Sequence, residues 1–242
     1  MALGAAGALL AAMIWAAGGL DKLEHLTWDF RVSLFVEYET PNPDIVLVFL
    51  DQSSLDWARD NLGIGWPWPR EIYAVIADYC SRSGSRALGF DVLYTEPSAF
   101  GVQDDLRFAQ ALGNFPHTAG TVSLSHHYGK FQSWPDDIIH KKLNLTGIEH
   151  LRDLTRAGGS AFEHATFPIT EIAGSASILC NSAIRPDTDG IYRRIDFLAL
   201  FDDRPIPILG LGMYLVHRPD ARIRVNRDRI DIDGRSRPID GT

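Results

Sequence analysis

The sequence predicts an α/β fold: a mostly parallel sheet with βαβ units, a C-terminal β-hairpin region, and one N-terminal transmembrane helix before it. Three observations carry that prediction. Residues 1–20 hold no charged side chain, over a length that suits a bilayer span. Ile45–Leu50 (IVLVFL) is a continuous apolar run bounded by turn residues, the pattern of a strand buried on both faces. Helix and strand signals then alternate from Pro69 to Leu124, as parallel strands joined by crossovers require.

The N-terminal segment has a rival reading as a cleaved signal peptide, with Ala16 and Ala17 as small residues near a cut. A signal peptide opens with a basic region, and here the first Lys or Arg is Lys22. Length and the missing basic region favour a retained membrane helix over residues 1–20. After it, Leu23, Leu26, Phe30 and Leu34 recur at helical spacing with Lys22, Asp29 and Arg31 between them. That pattern predicts an amphipathic helix from Lys22 to Phe35, ended by Pro41 and Pro43.

The predicted strand Ile45–Leu50 places Asp51 at its carboxyl end. Pro69 opens a helix whose apolar face is Ile72, Tyr73, Ile76, Tyr79 and Cys80, and Gly84 suits its exit. A strand at Ala87–Leu93, interrupted by Gly89 and Asp91, completes a βαβ unit with a right-handed crossover. Asp104–Leu112 reads as a second helix and Thr118–Leu124 as the strand after it.

From Ser125 to Ser160 the chain turns polar, carries His126, His127, His140 and His150, and reads as a long surface excursion. Strand patterns return at Ser177–Cys180 and at Ile191–Phe201, the latter opened by the turn signal Asp189-Gly190. A short helix is predicted over Ile208–His217. Arg222–Ile239 alternates like a hairpin around Asp233-Gly234.

Composition narrows the function classes. A chain of 242 residues has room for one large α/β domain or two small ones, and 45% apolar residues suit a folded core. A net charge of −8 argues against a nucleic-acid partner. The arginines between Arg218 and Arg237 are interleaved with Asp220, Asp228, Asp231 and Asp233, a mixed-charge surface. Cys80 and Cys180 alone cannot build a disulfide framework or a four-ligand zinc site. They read as two buried thiols, with a single bridge as the alternative.

Two constellations could carry a site. Trp66-Pro67-Trp68-Pro69-Arg70 is a stiff, aromatic segment leading into a helix. Its tryptophans either cap the core while Arg70 pairs with a carboxylate, or present a preordered ligand contact. Asp51 and Asp91 are expected at the carboxyl ends of neighbouring parallel strands, where open α/β sheets bind ligands. Such carboxylates hold a metal, or they serve as framework by accepting backbone N–H groups or pairing with Arg70. Glu96 and Asp104 could extend this acidic edge. Asp187-Thr188-Asp189-Gly190 lacks the later acidic residues of a calcium loop and reads as a tight turn. His126-His127 reads as solvated rather than metal-binding. No nucleophile elbow, P-loop, zinc-protease helix or dinucleotide fingerprint is present.

These features in order resemble the CHASE2 family. They are Trp28-Asp29-Phe30-Arg31, Ile45–Leu50 with Asp51-Gln52-Ser53-Ser54-Leu55, and Trp66-Pro67-Trp68-Pro69-Arg70 with Tyr73. Gly89-Phe90-Asp91-Val92-Leu93-Tyr94 with Glu96-Pro97, Asp104-Asp105, and the Asp187–Arg194 segment follow. The resemblance implies a domain over 21–242, held outside the bacterial cytoplasmic membrane, that receives a small-molecule or protein stimulus. It further implies a homodimeric receptor with a cytoplasmic cyclase or histidine kinase output. Members continue with more of the α/β domain and further membrane helices, so truncation at the C-terminal end is expected. No catalytic residue, metal or cofactor is implied. The expected ligand-binding residues are Asp51, Trp66, Trp68, Arg70 and Asp91. The competing expectation is a secreted or membrane-anchored metal-dependent hydrolase using Asp51 and Asp91.

Overall fold

A computed structural model describes residues 7, 12–14, 21–36, 40, 42–187 and 189–239. The chain divides into two units, Met1–Asn61 and Leu62–Thr242. In the first, the expected amphipathic helix forms as α1 (Asp21–Phe35), with Leu23, Leu26, Phe30 and Leu34 all exposed. Most of the span expected over residues 1–20 lies outside the described residues. Among those described, no helix is long and apolar enough to cross a membrane.

Ile45–Leu50 corrects an expectation, because it enters no ladder among the described residues, and Ile45–Phe49 are 66–80% exposed. A run of apolar side chains marks a segment that suits burial, but it cannot itself supply the neighbours that a two-faced strand needs. A helix the sequence reading did not foresee follows, α2 (Gln52–Leu62). Its signals were Asp51 as a capping residue and Leu55, Ala58 and Leu62 at helical spacing.

The second unit opens on α3 (Arg70–Arg82), with Pro69 as its N-cap and Gly84 just past its end at φ +76°. Its buried residues are Tyr73, Ala74 and Ala77, while Tyr79 is 65% exposed, so the core-facing side is rotated from the expected one. Apolar residues lie on several sides of this helix, and the small alanines let it approach α4 (Val102–Asn114) closely. Tyr73, Phe90, Tyr94 and Phe108 meet between them in mutual edge-to-face and tilted contacts, with ring centroids 5.0–6.3 Å apart.

The sheets are mixed rather than mostly parallel. β2 (Thr118–Ser125) pairs in parallel with β1 (Leu88–Gly89) and β6 (Ile178–Asn181), and antiparallel with β5 (His164–Thr166). β1–α4–β2 is therefore a βαβ unit, one helix later in the chain than expected. β7 (Leu198–Phe201) pairs in parallel with β4 (Ala161–Phe162) and antiparallel with β8 (Arg204–Pro207). It occupies only the end of the strand expected from Ile191. The turn between β7 and β8 is Asp202-Asp203, both at positive φ (50° and 57°), the hand that matches strand twist in a two-residue hairpin.

The C-terminal hairpin region forms as a three-stranded meander, β9 (Ile223–Val225), β10 (Arg229–Ile232) and β11 (Arg235–Pro238). Its last turn is Asp233-Gly234, and β3 (Leu145–Thr146) adds to β9 in parallel. The expected surface excursion over Ser125–Ser160 is corrected too. It contains β3 and α5 (Ile148–Gly158) and buries Trp134, Ile138 and Leu151. Its apolar residues are sparse, so composition hid them. The short helix α6 (Thr170–Ser175) precedes β6, and α7 (Leu209–His217) lays Leu211, Leu215 and Val216 into a core with Ala119, Ile178 and Cys180. Both thiols are free, Cys180 buried and Cys80 half-buried.

Candidate ligand-binding site

The tryptophan–proline segment is anchored from below by two consecutive acids on α4. The first turn of a helix leaves N–H groups without intrahelical partners, and Pro69 offers no side-chain acceptor for them. Asp104 supplies it from another element. Its carboxylate accepts the Arg70 N–H at 2.7 Å and the Glu71 N–H at 2.8 Å, and also the Ser98 hydroxyl. A carboxylate at a helix N-terminus further gains from the helix dipole.

Asp105 lies against the Arg70 side chain. Arg70 Nε stands 3.4 Å from Asp105 Oδ1, with the two side chains 12% and 4% exposed. Arg70 also donates to the Glu96 carbonyl at 3.2 Å and rests over the Tyr94 ring at 4.6 Å. The Ser98 N–H donates to Asp105 Oδ2 at 2.9 Å. Burial pushes the Tyr94 hydroxyl far above the usual tyrosine range, with Tyr73 adding to the shift and Arg70 opposing it.

Four buried polar atoms here have no hydrogen-bond partner: Trp68 Nε1, Arg70 Nε, Tyr94 Oη and Asp105 Oδ1. Buried polar groups are ordinarily satisfied; Arg70 Nε and Asp105 Oδ1 face each other in the ion pair at 3.4 Å, which leaves Trp68 Nε1 and Tyr94 Oη as the two without a partner at this place. Two residues before Trp68 in the chain, Trp66 is 57% exposed, and Trp66-Pro67 is cis. Trp66, Trp68 and Arg70 are neighbours in the chain leading into α3. The pairing of Arg70 with a carboxylate was foreseen, but its partner is Asp105, which the sequence offered only as part of the family resemblance.

Asp51 and Asp91 differ from each other in setting. The Asp51 carboxylate accepts the Ser53 hydroxyl at 2.8 Å, the Ser54 N–H at 2.9 Å and the Ser54 hydroxyl at 2.7 Å. It is the cap of α2, and those bonds, led by the Ser54 hydroxyl, hold its pKa at about 2. Asp91 is exposed beyond β1. Among the described residues, no group of three His, Cys, Asp or Glu side chains is arranged to hold a metal.

The remaining sequence features settle locally. Asp189 accepts the Ile191 N–H at 3.1 Å, an Asx-type turn, and Arg193 pairs with Asp187 at 3.1 Å and Asp189 at 2.8 Å. A separate open cleft of about 500 Å³ lies between α5 and the β7–β8 turn. Arg152 and Arg156 line it on the α5 side, with Asp202 and Asp203 at the turn and Phe162 and Leu200 in its floor. Arg152 and Asp203 form a two-point ion pair across it, Nε to Oδ1 at 2.6 Å. None of these residues stood out in the sequence, since an i, i+4 arginine pair looks like any solvated helix face.

A family model described as the CHASE2 domain matches residues 6–239. No curated protein and no solved structure gives a significant match.

Proposed function

Because the chain belongs to the CHASE2 family, a family of extracytoplasmic sensory domains, we propose that it is the sensory, ligand-binding part of a transmembrane receptor. In this reading it is anchored in the bacterial cytoplasmic membrane, acts as a homodimer, and relays its stimulus to a cytoplasmic cyclase or kinase module. The observation that carries the reading is the extent of the family match, which takes in α1 as well as the sheets. A ligand can shift such a receptor only by binding its two states with different affinity.

The ligand locus in this proposal is the segment of Trp66, Trp68 and Arg70. Support comes from the exposure of Trp66 two residues before Trp68, whose buried Nε1 lacks a hydrogen-bond partner. Asp91, exposed beyond β1, is a candidate for its rim, whereas Asp51 is engaged in capping α2. Catalysis has no comparable support, since CHASE2 is a sensory family and the Asp51 carboxylate is already committed to Ser53 and Ser54.

Two measurements test the proposal. Alkaline phosphatase fused after Thr242 folds only outside the cytoplasm, so an active fusion supports the location and an inactive one overturns it. In a small-molecule thermal-shift screen on the full chain, a ligand at 100 times its Kd stabilises by about 2.7 kcal/mol. Trp66→Ala should abolish the shift for a true hit. A shift that survives Trp66→Ala places the ligand elsewhere.

A further inference from the structure

His126 follows β2 and is held by acceptors on both ring nitrogens. Nε2 lies 2.7 Å from the Gly159 carbonyl, and Nδ1 lies 2.9 Å from Glu163 Oε2. A neutral imidazole has one donor and one acceptor nitrogen, so it can satisfy only one of these oxygens. The carbonyl cannot donate. Glu163 is exposed, and its carboxylate likewise only accepts, at 2.9 Å from Nδ1. Only the imidazolium makes both bonds.

The surroundings give that proton a structural consequence. Gly159 is the left-handed residue that ends α5, where its N–H bonds to the Arg156 carbonyl and the Ser160 N–H to Thr155 at 2.7 Å. The C-terminal end of a helix attracts cations, and here two are supplied: His126 on the Gly159 carbonyl and Arg185 on the Gly158 carbonyl at 2.5 Å. The His126 ring also stacks on Phe162 at 4.6 Å, and Phe162 forms part of the floor of the cleft whose wall carries Arg152 and Arg156. The other charged or titratable groups at this place are His127, with its ring 6.2 Å away, and His164 beside Glu163. Arg156 stands in the last turn of α5, and Asp196 lies 3.2 Å from Arg185.

We propose that His126 is a proton-binding latch on the end of α5, and that the stimulus this sensory domain receives is a change in proton concentration. The second half rests on the sensory reading above, while the latch does not. Protonated His126 ties the end of α5 to the loop between β4 and β5. Loss of the proton releases one of the two oxygens and frees the α5 end and the adjoining cleft wall. Glu163 sets the acid limit, because its own protonation removes one partner.

The test is a pH titration of the full chain, following the His126 ring nitrogens and Ser160 amide exchange by NMR across roughly pH 5 to 8. In the wild type, both nitrogens should be protonated on the acid side, and the Ser160 protection factor should fall about tenfold as the ring loses a proton. In His126→Gln, which keeps a donor but cannot titrate, protection should change less than about twofold. Equal profiles in the two proteins would overturn the latch. If His126→Gln does not fold, the wild-type ring decides, since a ring with one protonated nitrogen throughout the range refutes the proposal. Export and relay are read by other assays. A chain whose latch titrates but whose phosphatase fusion is inactive therefore sinks the sensory reading and leaves the latch standing.

Discussion

Asp104→Ala removes the acceptor that closes the start of α3. Three donors lose their partner: the Arg70 N–H at 2.7 Å, the Glu71 N–H at 2.8 Å and the Ser98 hydroxyl. Hydrogen bonds to a charged group are each worth about 1.5–3 kcal/mol net, while loss of a single cap costs about 0.5–2 kcal/mol. The site is half-buried, so water can reach part of the exposed backbone and reduce the loss. A destabilisation of about 2 kcal/mol follows, with Asp104→Asn near half of it because one neutral acceptor remains. Urea unfolding should show a lower midpoint at unchanged slope. The corresponding fall in Tm is about 4–8 °C for a chain of this size. Because Asp104 holds the helix that positions Arg70, ligand binding at the tryptophan segment should weaken in the same variant. A loss below about 0.5 kcal/mol would refute the assignment of Asp104 as the cap of α3.

Further outcomes follow from single distances or titrations. Gly212→Ala would place its Cβ 2.1 Å from Cys180 Sγ, so it should destabilise by about 1–3 kcal/mol despite alanine's better helix propensity. Combining it with Cys180→Ala should recover most of that loss in a double-mutant cycle, and purely additive effects would contradict the clash. Asp51 has its pKa lowered from 3.8 to about 2, so its contribution to stability is present above pH 3.8 and is lost as pH falls toward 2. Acid unfolding followed by circular dichroism should therefore differ between wild type and Asp51→Asn above that window and converge below it. Burial pushes the Cys180 thiol up to about 12, which keeps it protonated and unreactive in the native state. Maleimide labelling read by mass spectrometry should reach Cys80 first and Cys180 only on unfolding, and equal rates would contradict the burial.

Features set by neighbours in the chain were legible in the sequence. The spacing of Leu23, Leu26, Phe30 and Leu34 predicted α1, and Pro69 and Gly84 marked the two ends of α3. Asp233-Gly234 predicted a hairpin turn, because only certain residues adopt positive φ cheaply. The order of the tryptophan–proline motif and the Phe90-Asp91 segment identified the family, which the match over residues 6–239 bears out. Partners distant in the chain were not legible. Nothing local says that Asp104 caps a helix beginning 34 residues earlier, or that Asp105 rather than Asp51 or Asp91 meets Arg70.

The same division explains the corrections. Ile45–Leu50 has the composition of a buried strand, yet a ladder requires a second strand, and that is a property of tertiary structure. The Ser125–Ser160 segment is polar on average, but Trp134, Ile138 and Leu151 are enough to anchor it, because a few large side chains dominate buried area. His126 is the sharpest case. By sequence it is one of two adjacent loop histidines; the fold gives it two oxygens that only a doubly protonated ring can satisfy. Sequence determined which residues can form helices, turns and cores. Tertiary structure alone decided which charges meet, since a charge or a proton responds to what lies within a few ångströms of it and not to its place along the chain.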